Sequence, residues 1–312
     1  MRMIGRVVRY LVVALMLASW AFLIVSPAMA EVEPLPWDAK TPGNPPKEEG
    51  YLSDTEYQDE SIHAVVSTMT YKDVLCHIID VTIADPTQIR TAVSNDNVKD
   101  FTYVKGEAMA KHVNAVAAVN GDFFKYHFKD SYVWRQGEFF YDIRNDIKYG
   151  FNKPAEYLRD VLIIDDQGDF WTVKTATNEK IEAFLAEEFP EDRRVINAFT
   201  FGPVLVENGE PQPYTIIEFQ PKSKMQRVAI VQVDTLTYAI VECDGMSDGT
   251  YGLTMAEFAE FIAELYPTCR VAFNLDGGGS THVIFRNERI QNTSGIRNIS
   301  DIIYFASAAT EE

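Results

Sequence analysis

The sequence is poor in basic residues. Its 312 residues include 28 lysines and arginines against 46 aspartates and glutamates, which gives a formal net charge of −18. A protein that binds nucleic acid usually presents a basic surface that neutralises phosphates, so this balance excludes nucleic acid as a partner. The hydrophobic fraction of 46% is ordinary for a folded protein and excludes a largely disordered chain.

Cysteine and histidine are also scarce. The three cysteines are too few for a scaffold of several disulfides. The sequence is equally compatible with one disulfide and with three free thiols. They are Cys76, Cys243 and Cys269. The five histidines are isolated, without the H-x-x-x-H or C-x-x-C spacing of common zinc sites. They are His63, His77, His112, His127 and His282. The sequence therefore predicts neither a metal site nor a cofactor.

Only one long apolar run is present, at residues 10–25. It follows three arginines without any acid and precedes Ala28-Met29-Ala30, which is the pattern of a signal peptide cleaved after Ala30. Its 16 residues are fewer than the roughly 20 that a membrane helix needs. We therefore expect residues 1–30 to be a signal peptide, with an uncleaved anchor as the alternative. The mature protein would be secreted or held at the cell surface, without a membrane span.

The next segment, residues 31–60, contains five prolines, nine acids and two lysines. Such a composition buries too little apolar surface to offset its ordering entropy, and it predicts an acidic, proline-rich linker. From residue 61 onward the pattern is that of a folded protein without an internal repeat or a second linker. Residues 61–312 are therefore predicted to form one domain.

Short strand-like segments outnumber helical ones in this domain. Three helices are predicted, at about residues 106–115 and 179–189 and after Thr254, where Thr254 and Glu257 form a capping box. Asn208-Gly209 predicts a hairpin turn, because both residues tolerate positive φ. Helices are too sparse for regular β-α-β repetition. The sequence therefore predicts an α+β fold, with one large mixed β-sheet core and a few flanking helices.

The strongest functional signal is the glycine-rich loop at residues 276–281, which follows a buried strand. Consecutive glycines let backbone amides turn toward an anion, and Asp276 would lie at the lip of such a concavity. The candidate anion-binding residues are Asn274, Gly277, Gly278, Gly279, Ser280 and Thr281. A phosphate-binding P-loop would need a lysine before Ser280, and a nucleophile elbow would need glycine in place of His282. A tight turn capped by Asp276 is the alternative interpretation.

Four other segments contain candidate site residues. At residues 120–124, the Asn120 amide is suited to bind a sugar hydroxyl, and the aromatic pair Phe123-Phe124 to stack on a sugar; a hairpin turn with core phenylalanines is the alternative. The remaining candidates are Gly121, Asp122, Gly202, Arg227 and Asp244. Taken singly, an arginine at a strand start is usually a surface charge, and Asp244-Gly245 is usually a turn.

The order of these segments resembles the phosphodiester glycosidase family over about residues 62–305. The resemblance includes an Asn-Gly-x-aromatic-Phe element at 120–124, a Gly-Pro strand at 202–203, and an Asp-Gly strand end at 244–245. It also includes an unbroken Asn-Leu-Asp-Gly-Gly-Gly-Ser loop at 274–280 and an arginine at Arg297. The chain departs from the family at Val228, Gln232 and Met246, where threonine, glycine and arginine are common.

This resemblance implies an exported hydrolase that cleaves the anomeric C–O bond of a sugar-1-phosphodiester, with an N-acetylglucosamine-like sugar in a cell-surface or extracellular glycan. It implies Asp276, Asp244 and Arg227 as catalytic residues, with Arg297 as a second phosphate clamp. The loop residues, Asn120, Gly121, Asp122 and Gly202 would contact the substrate. Two alternatives stay open: a non-catalytic glycan-binding module of the envelope, and a metal-dependent phosphodiesterase that cleaves the P–O bond.

Overall fold

The computed structural model describes residues 29, 31–122, 131–143, 158–214, 220–246, 249–292 and 295–310. Apart from Met29, the predicted signal peptide lies outside these residues, and so does the aromatic pair Phe123-Phe124. The strands of the described chain form three β-sheets, here called the large, second and third sheets.

The large sheet has nine strands. In spatial order it contains β1 (Tyr51–Ser53), β2 (Glu56–Gln58), β3 (Ile62–Tyr71), β4 (Val74–Ile83), β15 (Thr237–Cys243), β14 (Arg227–Asp234), β16 (Val271–Leu275), β12 (Val204–Glu207) and β13 (Glu210–Pro211). A hairpin at Asn208-Gly209 joins β12 to β13, and both turn residues have positive φ. The predicted turn is therefore confirmed.

The second and third sheets have five strands each. The second contains β10 (Phe170–Val173), β9 (Asp160–Asp165), β11 (Val195–Phe201), β7 (Val133–Arg135) and β8 (Glu138–Tyr141). The third contains β18 (Glu288–Arg289), β17 (Val283–Phe285), β6 (Ala115–Asn120), β19 (Asp301–Ala306) and β5 (Ile89–Val93).

Every strand pair in the described part of these sheets is antiparallel. The prediction of one mixed sheet is therefore wrong. Parallel neighbours need long crossover connections, usually helical, and the described helices are short and few. Strands with a minority of helices remain consistent with the predicted α+β class.

The described helices are α1 (Gly106–His112), α2 (Asn178–Glu187) and α3 (Met255–Leu265). All three predicted helices are thus present, within a few residues of their expected bounds. At α3 the Thr254 side chain accepts from the Glu257 amide while the Glu257 carboxylate accepts from the Thr254 amide, as the capping box predicts. In the described part of the chain, no helix has the length and apolar character needed to span a membrane.

The main core lies where the three sheets face one another. Ile79, Ile240 and Phe273 of the large sheet pack in one cluster with Phe199 of the second sheet and Ile303 of the third. Since side chains alternate along a strand, the next residues of the large sheet point the opposite way. There a second cluster packs α3 against the sheet. Burial on both faces explains why the central strands are almost continuously hydrophobic, with each large apolar side chain contributing about 1.5–3 kcal/mol.

The cysteines belong to the second of these clusters. All three are buried free thiols, so the open choice between a disulfide and free thiols is resolved in favour of the latter. Cys76 of β4 lies directly opposite Cys243 of β15 in the register of the large sheet. Burial raises the pKa of Cys76 to about 12, which keeps its thiol protonated and unreactive at neutral pH.

Residues 31–60 are not a separate linker, and that prediction is wrong. The segment supplies β1 and β2 to the edge of the large sheet, and Leu35 is buried in the core around α1. The guanidinium of the fully buried Arg90 donates to the backbone carbonyls of Pro36, Asp38 and Thr41 at 2.9–3.0 Å. These hydrogen bonds satisfy backbone carbonyls of the segment and hold it in place. Its own acidic, proline-rich composition would not be enough to order it.

Replacing Arg90 with methionine should release this segment. Three backbone carbonyls would lose their donor, so we expect the free energy of unfolding in urea to fall by about 2–4 kcal/mol. Limited proteolysis should then cut between residues 36 and 47. The matched control is Lys47→Met, which removes a partly exposed ion pair with Glu60 and should leave stability and cleavage unchanged. A stable, uncleaved Arg90→Met protein would contradict this account.

Candidate active site

The glycine-rich loop connects β16 of the large sheet to β17 of the third sheet. Asp276 and Gly277 follow β16, and residues Gly278–Ser280 form one turn of 3-10 helix. A side chain at Gly277 would place its Cβ 2.5 Å from the Gln226 carbonyl oxygen, so only glycine fits at this close approach. The loop therefore lies at the junction of two sheets, packed against the residue that precedes β14.

Asn120, the last residue of β6, holds this loop in place. Its side-chain amide donates to the Asp276 carbonyl at 2.9 Å and accepts from the His282 backbone amide at 3.1 Å. Asn120 is only 1% exposed. The sequence hypothesis assigned it to a sugar hydroxyl, but its contacts in the structure are with the two ends of the loop. Asn120 is a positioning residue for the loop.

His282 adds a second set of contacts that the sequence did not indicate. One ring nitrogen lies 2.9 Å from the Glu107 carboxylate of α1, and the other lies 3.0 Å from the Arg297 carbonyl. Burial raises the pKa of Glu107, but its own backbone amide and His282 outweigh burial and leave the pKa below its ordinary value. The pair ties the loop to α1.

A cleft of about 220 Å³ opens beside the loop. It is lined by Phe201, Gln220, Met225, Gln226, Arg227, Asn274, Leu275, Asp276, Gly277, Gly278 and Arg297. The structure thus brings six predicted site residues together: Arg227, Asn274, Asp276, Gly277, Gly278 and Arg297. Among the described residues that line the cleft, Asp276 is the one carboxylate, and two arginines line the cleft with it.

The two arginines differ in their surroundings. Arg227 is buried, and its guanidinium donates to the carbonyls of Gln220, Ser223 and Leu253 at 2.9–3.3 Å. Desolvation lowers its pKa from the ordinary arginine value. Arg227 therefore shapes the cleft wall as well as supplying charge. Arg297 is exposed, and its backbone amide and carbonyl fix its position through Gly279 and His282.

The backbone of the loop differs from the predicted anion nest. The amides of Gly278, Ser280 and Thr281 donate to the carbonyls of Gln226, Gly277 and Gly278. These three donors are therefore used within the fold. The side chains of Ser280 and Thr281 are buried and do not line the cleft, and neither does Gly279. The remaining positive charge in the cleft comes from Arg227 and Arg297.

Asn274 and Gly202 are linked to each other. The Asn274 amide donates to the Gly202 carbonyl at 2.8 Å, and the Gly202 amide donates to the Asn274 carbonyl at 3.2 Å. The other side-chain atom of Asn274, Oδ1, is buried without a hydrogen-bond partner in the described structure. Gly202 itself does not line the cleft. Its role here is to fix the chain next to Asn274.

Asp122 lies in a buried ion cluster. Its carboxylate contacts the Arg135 guanidinium and accepts from the Thr200 amide at 2.8 Å, while Arg135 also donates to Asp301 at 2.8 Å. Gly121 packs on the same cluster, since a Cβ there would lie 2.4 Å from the Asp301 carboxylate. Asp122 and Gly121 therefore brace the end of β6, and the hypothesis that they contact substrate is not supported by their position.

Asp244 is not among the residues that line the cleft, and it lies next to His77 and Glu242. Ligand atoms of His77, Glu242 and Asp244 all lie within 4.8 Å of one another. His77 and Glu242 are opposite each other in the register of β4 and β15, a pairing that residue spacing along the chain does not reveal. His77, which is isolated in the sequence, therefore lies beside two acids in the fold.

Comparisons with known proteins agree with this architecture. The model of the phosphodiester glycosidase family matches residues 113–306, which is more than half of the chain. The match includes β6 with Asn120, the glycine-rich loop and both cleft arginines. This chain belongs to the phosphodiester glycosidase family.

Solved structures show the same fold at low sequence identity. The catalytic domain of zebrafish N-acetylglucosamine-1-phosphodiester alpha-N-acetylglucosaminidase, auto-inhibited by its pro-peptide, matches with a TM-score of 0.57 and 16% identity. That match covers 85% of this chain and 87% of the zebrafish chain. No curated protein matches the sequence significantly.

Two further structures are less similar. A hypothetical protein from Synechocystis matches with a TM-score of 0.48 and 14% identity, over 81% of this chain and 64% of that one. A putative exported protein from Burkholderia pseudomallei matches with a TM-score of 0.47 and 14% identity, over 76% and 75%.

The buried cluster at Asp122 predicts a specific pH dependence of stability. Burial, which outweighs the attraction of Arg135, raises the pKa of Asp122 from 3.8 to about 6. The native state then binds this proton more tightly than the unfolded state does. The contribution of Asp122 to the free energy of unfolding is therefore complete at pH values below its ordinary pKa. It is lost as pH rises through the pKa of Asp122 in the folded state.

Asp122→Asn should remove this dependence. The difference in unfolding free energy between wild type and variant should shift by up to about 3 kcal/mol in favour of the variant as pH rises across this window. Urea denaturation at several pH values measures it, because titrating groups away from this cluster are common to both proteins and cancel. Asp192→Asn, at an exposed position, serves as the control. A difference that stays constant across the window would contradict the assignment.

Proposed function

We propose that this protein is an exported glycosidase that hydrolyses the anomeric C–O bond of a sugar-1-phosphodiester. Its sugar would be N-acetylglucosamine-like and part of a cell-surface or extracellular glycan. Membership of the phosphodiester glycosidase family supports the reaction class. The observation that carries the proposal is the cleft that Asp276 lines together with Arg227 and Arg297.

The charge distribution fits a phosphate leaving group. A phosphate monoester leaves as an anion, so stabilising its charge contributes more than protonating it. The whole chain is strongly acidic and repels anions at long range. The attraction must therefore be local, and Arg297 is suited to it because it is an exposed residue that lines the cleft. Arg227 adds charge from the wall, where desolvation strengthens its field.

Asp276 is the carboxylate best placed for the chemistry. It is only 6% exposed, and its backbone is fixed by Asn120. A carboxylate at this point can stabilise an oxocarbenium-like centre or activate water, which are the two roles that glycosidases give to such groups. Asp244 does not share the cleft, so we assign it no contact with the reacting sugar.

A second candidate function is metal-dependent cleavage of the P–O bond. The observation that favours it is the cluster of His77, Glu242 and Asp244, whose residue types are those of metal-dependent hydrolases. Gln226 separates this cluster from the cleft, because its side chain contacts Glu242 and its carbonyl contacts the loop. The cleft arginines and Asp276 favour the glycosidase as the primary proposal.

The glycosidase proposal is tested with an α-N-acetylglucosamine-1-phosphate diester as substrate. We expect free sugar and a phosphomonoester as products. Asp276→Asn should lower kcat by about 10²–10⁴-fold, the range typical for losing an acid–base group. Its melting temperature should change little, because Asn120 binds the backbone of Asp276 and not its side chain.

The matched control is Asp54→Asn, since the Asp54 side chain is fully exposed and lies on an edge turn; its kcat should equal that of wild type. Sugar phosphate as the product would support the phosphodiesterase instead. Wild-type activity in Asp276→Asn would overturn the role of Asp276.

A further inference from the structure

Three potential metal ligands share one end of the large sheet. His77 of β4 is the direct neighbour of Glu242 of β15 across the ladder. Asp244 follows two residues after Glu242, and residues two apart on a strand point to the same face. The Asp244 amide donates to the Leu75 carbonyl at 2.9 Å, which extends the pairing of the two strands past the end of β15. The strand register thus places one imidazole and two carboxylates together.

Each of these side chains has a buried atom without a hydrogen-bond partner in the described structure. The atoms are His77 Nε2, Glu242 Oε2 and Asp244 Oδ1. His77 is 6% exposed and Glu242 is fully buried. A buried polar atom that lacks a partner costs about 1–3 kcal/mol. Three such atoms facing one another indicate that the site is built for a ligand that contacts all of them.

The residue types of the cluster suit a cation. Two carboxylates offer oxygen ligands, and a neutral imidazole offers the lone pair of one ring nitrogen. One ligand atom from each of the three side chains lies within 4.8 Å of the others.

We propose that His77, Glu242 and Asp244 bind a divalent transition metal of the zinc type. Imidazole nitrogen selects zinc and its neighbours over calcium and magnesium, which prefer oxygen alone. Three protein ligands with an open fourth position are typical of zinc sites that also hold water. The site is separate from the residues that line the cleft.

The distances need only a small adjustment. His77 Nε2 and Asp244 Oδ1 are 3.8 Å apart, and the most distant ligand atoms lie within 4.8 Å. Ligands at about 2.1 Å around a tetrahedral ion are about 3.4 Å from one another. Rotation of the carboxylates closes that gap. Asp244 is the most exposed of the three, so the ion would enter from its side.

Gln226 supports the site and connects it to the cleft. Its side-chain amide donates to Glu242 Oε1 at 2.7 Å, which orients the carboxylate and leaves Oε2 for the ion. Such indirect contacts commonly fix the geometry of metal ligands. The Gln226 carbonyl accepts from the Gly278 amide at 3.3 Å. A bound metal would therefore fix a residue that also holds the glycine-rich loop.

The proposal is tested by titrating the full chain with Zn²⁺ in a calorimeter after metal has been removed by a chelator. Wild type should bind one equivalent, and its melting temperature should rise with Zn²⁺ and fall back with chelator. Glu242→Gln and His77→Gln should bind about 100-fold more weakly or worse. Glu242→Gln keeps the size of the side chain and removes its charge, so it should fold without metal at least as stably as wild type.

His63→Gln is the matched control, because His63 pairs with Glu56 away from the cluster, and it should bind Zn²⁺ as wild type does. If His77→Gln does not fold, the comparison of wild type with Glu242→Gln decides the question. Equal binding by those two proteins would overturn the site. Calcium binding as strong as zinc binding would overturn the proposed metal class. These readouts do not depend on activity, so they stand or fall separately from the glycosidase.

Discussion

The two side-chain hydrogen bonds of Asn120 are the contact on which the candidate site depends. One binds the Asp276 carbonyl, where the loop leaves the large sheet, and the other binds the His282 amide, where it enters the third sheet. The loop contains three consecutive glycines, whose backbone entropy opposes a fixed shape. Asn120 offsets that cost at both ends. The position of Asp276 in the cleft therefore follows from a residue that never needs to contact substrate.

Charged residues form separate groups around Asn120 and the glycine-rich loop. Behind Asn120, Asp122 and Asp301 share Arg135 in a closed cluster that ends β6. Beside the loop, His77, Glu242 and Asp244 form a second cluster of one imidazole and two carboxylates. In front of it, Arg227 and Arg297 provide positive charge in the cleft. The three candidate acids of the sequence, Asp122, Asp244 and Asp276, therefore lie in three different surroundings.

Local signals in the sequence were sufficient for features that depend on neighbouring residues. The capping box at Thr254 and Glu257 and the turn at Asn208-Gly209 are set by residues within one turn of each other, and the structure contains both. The glycine-rich loop and Asp276 were recognised for the same reason. That local pattern points to a loop that lines the candidate cleft in the structure.

Features that depend on distant partners were not predictable in this way. Residues 31–60 looked like a linker because the donor that orders them, Arg90, lies about 50 residues farther along the chain. His77 and Glu242 are 165 residues apart in sequence and meet only through strand register, which no spacing rule encodes. The same holds for Asp122, which looked like a substrate ligand until its partners Arg135 and Asp301 were seen.

The central claim is that the bond cleaved is the anomeric C–O bond. Hydrolysis of the sugar-1-phosphodiester in water labelled with heavy oxygen, followed by mass spectrometry of both products, tests it most directly. Attack at the anomeric carbon predicts that the label appears in the hydroxyl of the released sugar, with none in the phosphomonoester. Label in the phosphate would show cleavage at phosphorus and would contradict the account.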